Sequence, residues 1–141
     1  MKKPIVAILI AISFFAGCKD NDRNTDSKPE NDIDAARSFI RAALDGDYDK
    51  ARTFVVNDTL NLQSLDGFER VYDRMSPEEK NKYKGASIHI LDKKVIDTAT
   101  SIIYYSNSYR NQSDSLKVIK QGGNWLIDFK FIFQSKPDSL Q

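Results

Sequence analysis

Residues 122–133 read Gly-Gly-Asn-Trp-Leu-Ile-Asp-Phe-Lys-Phe-Ile-Phe. Trp125, Ile127, Phe129, Phe131 and Phe133 alternate with Leu126, Asp128, Lys130 and Ile132. Successive side chains of a strand point to opposite faces, so this period of two predicts a half-buried strand over 125–133 with one aromatic face. Gly122-Gly123 supplies the positive φ angles of a two-residue hairpin and joins that strand to another over 115–121. Working back, 86–96 and 98–109 carry further strands, the latter rich in Ile and Tyr. Turns fall at Asp97-Thr98 and over 110–113. Four strands joined by short turns predict an antiparallel meander.

Before Gly85 the spacing is helical. Ile33, Ala36, Ile40, Ala43 and Leu44 recur at three- and four-residue steps and share one helical face. Asp32 is the expected cap, and Gly46 suits the left-handed position beyond the end. Asp47 then caps a short second helix with Tyr48, Ala51, Phe54 and Val55 on its apolar side. Phe68, Val71, Tyr72 and Met75 form another stripe, its beginning weakened by Gly67. Ser76-Pro77-Glu78-Glu79 is a strong helix start: Ser76 caps, Pro77 fits the first turn, and Glu79 closes a capping box. Helices followed by strands define an α+β class, with N-terminal helices packed on one face of a curved four-stranded meander.

The ends carry a different message. Met1-Lys2-Lys3 is a basic head, and 4–16 is apolar apart from Ser13. That run is short for a bilayer span, which needs about 20 residues, and suits the apolar region of a signal peptide. Phe15-Ala16-Gly17-Cys18 resembles the lipobox of bacterial lipoproteins, with Phe15 where leucine is usual. The resemblance implies cleavage after residue 17 and lipid on Cys18, the single cysteine of the chain. Without a second cysteine no internal disulfide forms, so burial alone must hold the exported domain together.

Residues 18–31 follow as a polar tether that cannot bury enough surface to offset its ordering entropy. Lys19-Asp20-Asn21-Asp22 reads either as solvated spacer or, by resemblance, as the acidic export signal of surface-exposed lipoproteins in one Gram-negative phylum. Losing Lys2 and Lys3 from the 21 basic residues leaves 19 against 20 acidic ones. So neutral a chain argues against nucleic acid as a partner, since that demands a basic face. The expected organisation is signal peptide 1–17, tether 18–31, domain 32–134 and polar tail 135–141.

The order of these elements carries a family resemblance. Ala35-Ala36-Arg37-Ser38-Phe39-Ile40, then Asp45-Gly46-Asp47-Tyr48-Asp49-Lys50-Ala51, is similar to the opening of the nuclear-transport-factor-2-like superfamily. Gly122-Gly123-Asn124-Trp125-Leu126-Ile127-Asp128 is similar to its closing hairpin. Within the superfamily, 32–134 most resembles a family of bacterial lipoprotein domains of unknown function. The resemblance implies a conical fold with a pocket between sheet and helices, and no particular chemistry.

Enzymes of that superfamily place Asp, His or Tyr inside the cone for acid–base work. The one histidine, His89, lies between Ile88 and Ile90, so alternation puts it on the face opposite them. Asp128 likewise faces away from the aromatic side and is expected to pair with a lysine. No catalytic constellation emerges, and no metal or cofactor site. Asp45, Asp47 and Asp49 mimic the start of a calcium loop but lack its later glycine and distal glutamate. The aromatic residues either fill the core of a small domain or line a cleft for a small apolar ligand, with Tyr104, Trp125, Phe129 and Phe131 as the candidate lining.

Four triplets remain: Asp58-Thr59-Leu60, Asp97-Thr98-Ala99, Asp114-Ser115-Leu116 and Asp138-Ser139-Leu140. They resemble the O-glycosylation signal of exported proteins in the same phylum, which would modify Thr59, Thr98, Ser115 and Ser139. Loop positions favour Thr59, Ser139 and then Thr98, and a strand start shields Ser115. The competing reading is that Asp followed by a hydroxyl residue makes turns through local hydrogen bonds. The functional expectation is a noncatalytic, lipid-anchored binding or interaction protein of the cell envelope, at the outer membrane and displayed on the surface or facing the periplasm; the alternatives are a pocket protein for a small apolar ligand and, last, an acid–base enzyme of the same superfamily. Its partners would be the membrane and a protein or small apolar ligand.

Overall fold

The computed structural model describes residues 28–130. Cys18, Phe131, Phe133 and Ser139, with the signal, most of the tether and the tail, lie outside the described residues. Four helices come first: α1 (Asp32–Asp45), α2 (Tyr48–Thr53), α3 (Thr59–Asp73) and α4 (Pro77–Lys84). Four strands follow: β1 (Ile88–Asp97), β2 (Thr100–Asn107), β3 (Ser113–Gln121) and β4 (Asn124–Ile127). They form one open antiparallel sheet in the order β1-β2-β3-β4. The α+β meander expected from the periodicities is therefore present.

α1 brings Ala36, Phe39, Ile40 and Leu44 onto Ile103, Leu116, Val118 and Ile127 of the sheet. The helix ends at Gly46, whose φ of 75° lets its amide reach Ala43 and that of Asp47 reach Ala42. At the other end, the cap is Asn31, not Asp32: Asn31 Oδ1 accepts the Asp34 amide at 2.9 Å. Asp32 is buried one residue further in. There it accepts Ser101 Oγ at 2.6 Å and pairs with Lys93 Nζ at 2.7 Å. Burial alone would push this carboxyl up, but the hydrogen bonds of Lys93 and Ser101 and the Lys93 charge outweigh it and hold Asp32 below the ordinary value.

Asp47 caps α2 by accepting the Lys50 amide, and Ser76 with Glu79 closes the capping box of α4, both as expected. The third stripe belongs to a longer helix than its apolar residues announce. Asp58 Oδ1 accepts the Asn61 amide, so α3 starts at Thr59 and carries Gly67 in its interior. Thr59 is thus the first residue of a helix and not part of a connection.

Two expectations about the sheet need correction. β1 is irregular, with bulges between Ile90 and Asp92 and between Val95 and Asp97. More consequential, the last strand stops at Ile127 instead of continuing through the aromatic run. The Ile127 amide and carbonyl are engaged by Phe54 and Val56, at 2.8 and 3.0 Å. Asn61 Oδ1 then takes the Phe129 amide at 2.6 Å, which pulls the chain out of the sheet. Phe129 is buried all the same, its ring edge-on to Phe39 at 5.5 Å and to Phe68 at 5.3 Å.

Candidate functional site: a tyrosine-walled cleft

Between the helices and the core face of the sheet runs a cleft of about 440 Å³. Phe39, Ile40, Leu44, Leu116 and Phe129 make its apolar floor; Phe68, Val71 and Met75 of the α3 region border it. Its wall is a series of tyrosines from five different elements or turns. Tyr48 and Tyr72 have ring centroids 5.7 Å apart, Tyr72 and Tyr83 6.0 Å, and Tyr83 meets Tyr109 edge-on at 5.1 Å. Tyr105 adds a fifth ring from β2. Tyr72 reaches its place because Gly46 has no side chain: a Cβ there would overlap the outer atoms of the Tyr72 ring.

Burial pushes the Tyr48, Tyr83 and Tyr105 hydroxyls above their ordinary value, and Asp114 raises Tyr105 further. Tyr48 Oη donates to the Phe68 carbonyl at 3.4 Å, and Tyr105 Oη to Asp114 Oδ2 at 3.5 Å. Polar groups gather at one end. Asn107 Oδ1 accepts the amides of Tyr109 and Arg110, which fixes the loop carrying both side chains against the cleft. Asp114, the one carboxylate of the lining, is exposed.

Among the described residues, the two buried carboxylates lie elsewhere and are committed to structure. Asp32 is bound as described above. Asp128 pairs with Lys117 at 3.3 Å and accepts Asn61 Nδ2 at 3.2 Å. The lysine partner expected for Asp128 is thus found, although the carboxylate is buried. His89 is exposed on β1 with Nε2 3.1 Å from Ser87 Oγ, away from the cleft. Asp47 is occupied as a cap, and Asp45 pairs with Arg41 at 3.0 Å. A broader groove of about 760 Å³ lies between the α2–α3 connection and β3–β4. Asp58 and Lys130, which both line it, are locked together at 2.7 Å. That hydrogen bond and the Asn61 amide hold the Asp58 carboxyl down at about 2.

Of the three described residues among the four expected to line it, Phe129 borders the cleft and Tyr104 and Trp125 do not. Tyr104 sits on the β2 face opposite Ile103 and is 36% exposed. Trp125 does occupy the core face of β4, but it is half-buried at the sheet margin, beneath Lys120 Nζ at 5.3 Å from the ring centroid. Phe131 is outside the described residues. Tyr48, Tyr72, Tyr83, Tyr105 and Tyr109 were missed as a group because they are scattered over the chain: helical spacing hinted at inward positions for Tyr48 and Tyr72, and Tyr105 and Tyr109 stood only among the strand aromatics expected in core or cleft.

For the triplets, each described aspartate makes the local hydrogen bond expected of turn chemistry. Asp58 accepts Asn61 N, Asp97 accepts Ala99 N at 2.8 Å, and Asp114 accepts Ser115 N at 2.7 Å. Thr59 and Thr98 are exposed, and Ser115 is half-buried within β3. Comparison with protein-family models, curated proteins and solved structures returned no match.

Proposed function

We propose that this chain is an exported lipoprotein, held at the outer membrane of the cell envelope by lipid on Cys18, whose anchored domain binds a small apolar ligand without catalysing a reaction. The observation that carries the binding role is the cleft. Its volume of about 440 Å³ falls in the range of small-molecule sites, roughly 300–1,000 Å³, and its walls are aromatic with polar groups at one end. A domain that filled the same space with side chains would leave only its surface for interaction. An acid–base enzyme would need a carboxylate or histidine inside the cleft, and the lining holds only the solvated Asp114. The finer fold reading belongs here too: helices first, a meander closing on Gly122-Gly123, and a cleft between the layers support a nuclear-transport-factor-2-like cone for 32–134.

The binding role is tested by titrating the purified chain with anilinonaphthalene sulfonate, an apolar aromatic probe. One saturable equivalent should bind. Val71 is exposed at the cleft border, so Val71→Asp should leave the fold intact. It should weaken the probe at least about tenfold by placing a charge where apolar surface is desolvated. Failure to saturate, or indifference to Val71→Asp, would contradict the reading. The anchor is tested separately. Cys18→Ser should abolish lipid labelling and move the protein from the membrane to the soluble fraction; unchanged fractionation would remove the anchor from the account.

A further inference from the structure

The outer edge of β1 is the free end of the sheet, and among the described residues nothing pairs with it. It is an apolar edge for so accessible a place: Leu91, Val95 and Ile96 are 54%, 61% and 53% exposed. Open strand edges are templates for another strand, and proteins ordinarily guard them with charge or bulges. Both devices are present here, but their arrangement selects one partner. We propose that β1 pairs antiparallel with β1 of a second copy of this chain, across a two-fold axis at Lys93, to make one continuous eight-stranded sheet.

The argument is self-complementarity, which an isologous two-fold contact requires. Centred on Lys93, the antiparallel register sets Asp92 against Lys94 of the other copy, Leu91 against Val95 and Ile90 against Ile96, each twice. Moving the centre by one residue either way sets Asp92 against Asp92 and Leu91 against Lys93, or Lys94 against Lys94 and Lys93 against Val95. Opposite charges and apolar pairs across strands stabilise a sheet, and like charges directly opposite destabilise it. Asp92 and Lys94 form no ion pair within the described residues; Asp92 Oδ1 accepts the Lys93 amide at 2.7 Å, which leaves Oδ2 to meet Lys94 of the other copy. Lys93 would face its own copy, but Asp32 already holds it at 2.7 Å.

The bulges fit this register. They fall at Leu91 and Ile96 and leave residues 92–95 as a regular run, so the two Asp92–Lys94 pairs form on undistorted backbone, while the apolar pairs each include one bulge residue. A two-fold axis perpendicular to the sheet keeps both helical layers on the same side. Since α1 begins at Asp32, which is bound to Lys93, both chains then enter their domains close to the axis and on one side. The two tethers could therefore reach a single surface.

Light scattering on the detergent-solubilised full chain tests the pairing. The expected result is a concentration-dependent dimer. Lys94→Asp should raise its dissociation constant at least about tenfold, because the changed charge acts twice across the axis. Asp92→Lys combined with Lys94→Asp should restore the dimer by reversing each pair. Both positions are exposed, so folding is not at stake. A chain that stays monomeric, including one whose β1 pairs only with a different protein, overturns the proposal. So does a dimer that Lys94→Asp leaves unchanged.

Discussion

Asn61→Leu is expected to lower the thermal unfolding midpoint by more than about 10 °C, given that roughly 1 kcal/mol shifts a domain of this size by about 4–8 °C. Asn61 is fully buried and uses both ends of its amide. Its Oδ1 accepts the Phe129 amide at 2.6 Å, and its Nδ2 donates to Asp58 at 3.0 Å and Asp128 at 3.2 Å. Leucine has the same branched shape, is somewhat larger, and makes none of these bonds. The Phe129 amide would be left buried without an acceptor, at a cost of about 1–3 kcal/mol. Asp128 would keep Lys117 but lose a donor in a site that water does not reach freely, so the total should approach 3–4 kcal/mol. Differential scanning calorimetry checks it. A shift of only one or two degrees would mean that the exit of the chain from β4 does not depend on this side chain.

Gly46→Ala is the second large effect, and it joins stability to the cleft. At φ 75° an L side chain costs about 1–2 kcal/mol of backbone strain. The added methyl would also strike the Tyr72 ring, which is packed between Tyr48 and Tyr83 and would have to shift toward the cleft. Overpacking of that kind costs about 1–3 kcal/mol, so a total near 2–4 kcal/mol is expected in denaturant unfolding. Because Tyr72 is part of the wall, probe binding should weaken in the molecules that remain folded. Full stability with unchanged binding would show that the tyrosine series does not depend on this close approach.

What the sequence revealed and what it hid divide along a physical line. Local rules were legible: Ser76 to Glu79 for a capping box, Gly46 for a left-handed cap, Gly122-Gly123 for a hairpin, and a change of period between helices and strands. Each acts within a few residues. The end of β4 was not legible, since 125–133 alternates without a break. The strand stops because the Asp128 amide makes the last bond to β3 and Asn61, 68 positions earlier than Phe129, claims the Phe129 amide. The start of α3 was obscured by Gly67, which suggested a boundary, while Asp58 and Asn61 set the cap nine residues upstream. The cleft was hidden for the same reason. Its tyrosines come from separate elements, and only tertiary packing puts Tyr83 of α4 against Tyr109 of the β2–β3 loop.

The central claim is that ligand enters between the tyrosines, and ring resonances report it most directly. With tyrosine rings ¹³C-labelled, anilinonaphthalene sulfonate should shift Tyr72, Tyr83 and Tyr109 together along one saturation curve. Tyr104, on the opposite face of β2, should stay where it is. Saturation that moves Tyr104 and leaves the other three unmoved would place the ligand outside the cleft and contradict the account.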